Sequence, residues 1–87
     1  MTITFPNRSR SYDVTRQAVH FWGYDRSMES SFFIVVDALR RIQPDLQSDA
    51  IDILRAFDAN RERIYAIAAK VYARARKGSY DLNVADV

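Results

Sequence analysis

Hydrophobic positions in this chain change their spacing from one segment to the next, and each spacing predicts an element. Ile3 and Phe5 alternate with Thr2 and Thr4, which predicts a short edge strand closed by Pro6. Asn7 to Arg16, rich in Ser, Arg, Asp and Thr, reads as a loop. From Ala18 to Tyr24 the period is two, with Val19 and Phe21 set against His20 and Trp22, so both faces of this strand carry apolar weight. Tyr24-Asp25-Arg26-Ser27 is turn-like. Met28 to Val36 predicts a second strand, strongest over Phe32-Phe33-Ile34-Val35-Val36, a run suited to a strand covered on both sides. The two strands are expected to form an antiparallel hairpin.

The pattern then turns helical. Asp37 is placed to cap a short helix through Ile42, and Pro44 ends it because the residue before proline disfavours the α region. A long amphipathic segment runs from Ser48 to Lys77, with Asp45 and Ser48 as candidate caps and Gly78 as a C′ residue. Leu54, Phe57, Ile64, Ala68, Val71 and Ala75 make one stripe at three-four spacing, broadened by Ile53 and Ile67. Tyr80, Leu82 and Val84 alternate with Asp81, Asn83 and Ala85, predicting a final strand with one wet face. The expectation is one α+β domain over residues 1–87: a small, mainly antiparallel sheet of three or four strands packed against one short and one long helix.

The long helix has two irregularities. Thirty residues would span about 45 Å, whereas a compact domain of this length is roughly 31 Å across. Either the helix breaks near Asp58–Asn60, where propensity dips, or its overhang packs on a second subunit. The second irregularity is Arg61, which fills the slot between Phe57 and Ile64 in the apolar stripe. Either its stem snorkels along apolar surface, or it pairs with a carboxylate such as Asp25 or Glu29, with Asn60 completing the network and fixing register.

Composition adds limits. At 48% hydrophobic and 13% aromatic the chain is expected to fold rather than stay disordered. The absence of cysteine excludes disulfides, thiolate metal sites and thiol nucleophiles. Met1 to Pro6 has no basic stretch followed by an apolar core, and no apolar run approaches a membrane span, so a cytoplasmic, non-membrane protein is expected. Net charge is only +2, but Arg63, Lys70, Arg74, Arg76 and Lys77 stand together without an intervening acid. The helix dipole accounts for bases at a C-terminal end. With Tyr72 and Tyr80 these cations also form a candidate nucleic-acid surface, although no recognised binding motif accompanies them.

Candidate chemistry is sparse. His20 is the only histidine, with no acid or hydroxyl at a diagnostic sequence spacing. No metal-ligand pattern is present, and two glycines cannot build a phosphate loop. No metal, no cofactor and no enzymatic activity are expected. A protein partner or a homodimer is the leading partner class, and nucleic acid is the alternative.

Four segments together resemble a known family: Ile3-x-Phe5-Pro6, Ala18-x-His20-Phe21, Phe57-x-x-Asn60-Arg61-x-x-Ile64, and Gly78 before a strand ending near Asp86. They look like the small bacterial domain of unknown function numbered 1488. The resemblance covers nearly the whole chain and implies a compact α+β domain in the bacterial cytoplasm. It supplies no catalytic residues to carry over.

Overall fold

A computed structural model describes residues 2–75 and 77–87. In chain order the elements are β1 (Ser11–Asp13), β2 (Ala18–Asp25), β3 (Met28–Val35), α1 (Val36–Ile42), α2 (Ala50–Ala59), α3 (Arg61–Arg74), β4 (Ser79–Leu82) and a 3-10 turn at Val84–Asp86. The sheet order is β1-β2-β3-β4. The first two pairings are antiparallel, and β4 runs parallel to β3 with Phe32 opposite Tyr80 and Ile34 opposite Leu82. This is the expected α+β arrangement, with four strands.

The hairpin forms as its alternation demands. Asp25 pairs with Met28 at its tip, and Arg26 takes a left-handed φ of 59° to close the turn. One face of the sheet, carrying Val19, Phe21, Phe32, Ile34, Tyr80 and Leu82, meets all three helices in a single core. The helices bury Leu39 from α1, Ile53 and Phe57 from α2, and Ile64, Ala68 and Tyr72 from α3. Aromatic rings join the layers: Phe21 lies 5.1 Å from Phe57, and Phe32 stacks on Tyr80 at 4.9 Å.

The long helix is in fact two. The chain breaks at Asn60, whose φ of −119° and ψ of 20° lie outside the helical region. The molecule is consequently 35 × 24 × 23 Å, with no room for a 45 Å rod. Phe57, Ile64 and Ala68 stay buried across the break, as the stripe predicts, and the inward face departs from it toward the end of α3. In α3 the buried series is Arg61, Ile64, Ala68 and Tyr72, whereas Val71 is half-buried and Ala75, beyond the helix, is exposed.

Other boundaries move for local reasons. Asp49, rather than Asp45 or Ser48, caps α2 by accepting a 2.8 Å bond from the Asp52 N–H. Asp37 lies inside the first turn of α1, which grows directly out of β3 without a side-chain cap. Helix α3 ends at Arg74, so Gly78 is not its C′ residue, and no glycine adopts a positive φ. The Ile3–Phe5 segment makes one antiparallel bridge, Thr4 to Tyr24, instead of a strand. The segment read as a loop contains β1, in which only Tyr12 packs against the core. Gly23 has a packing role: a Cβ there would meet Phe5 at 2.7 Å and Ile3 at 3.0 Å.

Candidate functional site

Two arrangements combine polar chemistry with an accessible surface. The first is the face of the sheet turned away from the helices. Alternation places Ala18, His20 and Trp22 of β2 on it, beside Ser31, Phe33 and Val35 of β3. His20 packs against Trp22 at 4.2 Å and Phe33 at 4.3 Å; His20 and Trp22 are half-buried, Phe33 is buried beneath Arg16 and His20, and none of the three rings stacks with the aromatic cluster of the core. Arg16, in the turn between β1 and β2, crosses the sheet so that its guanidinium sits 4.1 Å over the Phe33 ring. It also lies 3.7 Å from Asp13 and 3.8 Å from Asp81. Its side chain is half exposed, so these ion pairs add little stability.

His20 has a hydroxyl partner that spacing along the chain could not reveal: Ser31 Oγ, 3.0 Å from Nε2. The hairpin register puts Ser31 opposite Trp22 and diagonal to His20. Desolvation against the two neighbouring rings lowers the histidine pKa, and Arg16 lowers it further against the opposing pull of Asp13 and Glu29. The neutral imidazole is favoured.

The second arrangement surrounds the break at Asn60. The Asn60 amide donates to Gln43 Oε1 at 3.0 Å and to the Ala56 carbonyl at 2.8 Å, tying the end of α1 to the corner between α2 and α3. Arg61 turns the other way. It is 7% exposed, and its guanidinium donates to the Tyr65 hydroxyl, the Arg8 carbonyl and Asp58 Oδ1, each at 2.7 Å. Arg10 holds the same Asp58 through two bonds of 3.0 and 2.9 Å, and this is the main reason the Asp58 carboxyl titrates below its usual range. Asp25 and Glu29, the acids considered as partners for Arg61, instead accept from Tyr72 and Tyr24. Asn60 and Arg61 therefore anchor two separate contacts on either side of the kink. Beside them lies an open cleft of about 680 Å³ lined by Arg8, Asp58, Arg61, Glu62, Arg63 and Tyr65.

The basic residues of α3 other than Arg61 are exposed and spread along its length. Arg63 lines this cleft at the start of α3, while Arg74, at the far end, donates to Asp86 at 3.2 Å. Eleven residues of helix separate the two by about 16 Å. Lys70 is exposed between them, and Lys77 donates its backbone N–H to the Tyr80 hydroxyl. Arg76 lies outside the described residues. Among the described residues no group of three His, Asp or Glu side chains could hold a metal ion, and no helix is long and apolar enough to cross a membrane.

A two-layer α+β domain with its helices on one face and an aromatic sheet surface on the other is the class that this arrangement defines. Within that class the chain belongs to the family described as protein of unknown function (DUF1488), which it matches over residues 3–84. It is similar to the crystal structure of a DUF1488 protein of unknown function from Shewanella loihica PV-4, with a TM-score of 0.81 and 21% identity over 94% of each chain. At that identity the likeness is one of fold. No curated protein matches the chain.

Proposed function

We propose that this is a non-enzymatic interaction domain that associates with a second copy of itself through the open sheet face. The observation that carries the reading is the His20–Trp22–Phe33 cluster, which no helix covers. Its composition supports a protein interface: an aromatic centre is bordered by Arg16, Asp13, Asp81 and Glu29. A border carrying both signs of charge is self-complementary, as a two-fold contact requires. The expected overhanging helix no longer supports association, because the chain bends at Asn60.

Strand spacing and length give this face about 400 Å² per copy, so a pair would bury about 800 Å². That lies below the range of stable complexes and predicts a weak dimer with monomer and dimer both populated. Nucleic-acid binding along Arg63–Lys77 draws less support, since the Tyr72 and Tyr80 rings are buried in the core and Arg74 is engaged by Asp86.

Sedimentation velocity over a concentration series tests the proposal. The wild-type sedimentation coefficient is expected to rise with concentration, accompanied by a blue shift in emission from Trp22, the sole tryptophan. Trp22→Glu should remain monomeric throughout while keeping a cooperative melt. A wild type that stays monomeric at the highest concentration, or a Trp22→Glu variant that associates equally well, refutes it.

A further inference from the structure

Beyond the open face, we propose that the cleft at the α2–α3 break binds the phosphate group of a small phosphorylated molecule. Three features converge there. The first is the start of α3, a fourteen-residue helix whose N-cap residue, Asn60, makes no side-chain cap bond and instead donates its amide N–H groups to Gln43 and Ala56. Helix geometry leaves the Arg61, Glu62 and Arg63 N–H groups without an intrahelical acceptor, while the dipole of α3 is offset by that of α2, which ends at the adjacent Ala59. The second is a pair of exposed arginines, Arg8 and Arg63, which line the cleft and have no ion-pair partner among the described residues. The third is Arg61 itself. It is 7% exposed, held by three hydrogen bonds, and its Nε–H has no hydrogen-bond partner. That donor is itself buried, so it marks a guanidinium in the cleft wall that is short of one acceptor.

Charge and hydrogen bonding favour an oxyanion over other occupants. Asp58 already accepts three bonds from Arg10 and Arg61, whose two positive charges oppose a cation there. Tyr65 accepts from Arg61, which leaves its own O–H free to donate. Among the described residues one opposing carboxylate without a hydrogen-bond partner lines the cleft, Glu62, which is exposed at the helix start. A phosphate monoester supplies several acceptor oxygens and a charge near −2, matching two unpaired arginines and a helix N-terminus. The cleft volume of about 680 Å³ falls within the range of small-ligand sites.

The test is a titration of the ¹⁵N-labelled full chain with inorganic phosphate, followed by ribose 5-phosphate, read from backbone amide shifts at low salt. Saturable shifts are expected at the Arg61, Glu62 and Arg63 amides. Arg8→Gln and Arg63→Gln, both at exposed positions, should each weaken binding roughly tenfold, as loss of one charge-assisted contact implies. Glu62→Gln should tighten it. Shifts that remain linear, that fall equally near Lys70 and Arg41, or that survive the Arg8→Gln, Arg63→Gln double variant overturn the site. A 5′-phosphorylated oligonucleotide binding more tightly than ribose 5-phosphate overturns the small-molecule assignment. Because the open-face contact is read by sedimentation of Trp22 variants, failure of either proposal leaves the other standing.

Discussion

Arg61 is the residue whose replacement separates packing from hydrogen bonding most cleanly. Truncation to alanine removes two buried methylenes of the stem, about 1.5 kcal/mol of transfer free energy. It also removes donors to the Arg8 carbonyl and the Tyr65 hydroxyl, about 1 kcal/mol each. The bond to Asp58 adds less, roughly 0.5 kcal/mol, because that carboxylate is 40% exposed and retains Arg10. Part of this total of about 4 kcal/mol is offset, since burying a guanidinium itself costs free energy. The expected net loss for Arg61→Ala is about 3 kcal/mol, a large share of the roughly 4–13 kcal/mol available to a domain of this length. It corresponds to a fall in Tm of about 15 °C.

Arg61→Met keeps the stem, fills the space over Phe57 and avoids the desolvation cost, so its expected loss is only about 1 kcal/mol. Urea denaturation followed by circular dichroism, with thermal melts alongside, measures both variants. The contribution should also be insensitive to salt, because the guanidinium is buried. Methionine costing as much as alanine would show that the hydrogen bonds, not the stem, hold the corner. An alanine loss below about 1 kcal/mol would refute the reasoning altogether.

Three further outcomes follow from the geometry. His20 has a lowered pKa in the folded state, so its contribution to stability is complete above the unfolded value near 6.5 and declines as pH falls from there toward the folded value. His20→Gln should remove that part of the pH dependence in melts taken between pH 7 and 5, and an unchanged profile would count against it. Asp58 is also depressed, but for a carboxylate the loss begins only below about pH 4; Asp58→Asn should flatten the acid limb there while leaving pH 7 to 5 unaltered. Gly23→Ala drives a methyl into Phe5 and Ile3 and should cost about 1–3 kcal/mol, whereas Gly78→Ala, with nothing within 4 Å, should stay within about 0.5 kcal/mol of wild type in the same urea assay.

The second site illustrates how far linear spacing reaches. Arg61 stood out in the sequence because a charge interrupts an apolar stripe, and its burial follows from that position. Its partners did not stand out. Asp58 lies three residues upstream, where it reads equally well as a solvated acid, and the Arg8 carbonyl is a backbone group fifty-three residues away with no signature of its own. The open face shows the same division. Alternation put His20 and Trp22 on one side of β2, but only the hairpin register brought Ser31 and Phe33 beside them.

Sequence by itself determined the α+β class, the β2–β3 hairpin, the helix α1 ending before Pro44 and the core strip of β4. Each rests on a local hydrophobic period or a backbone restriction, and these act over a few residues. It also posed the choice between a bent and an overhanging helix without resolving it. Only the tertiary structure decided that the chain breaks at Asn60, that β4 lies parallel beside β3, that β1 forms within a polar loop, and that Arg8, Asp58 and Arg63 meet around Arg61. The physical reason is that periodicity records which side of an element is apolar, whereas the break, the strand order and the convergence of distant side chains depend on how those apolar sides close on one another around a shared core.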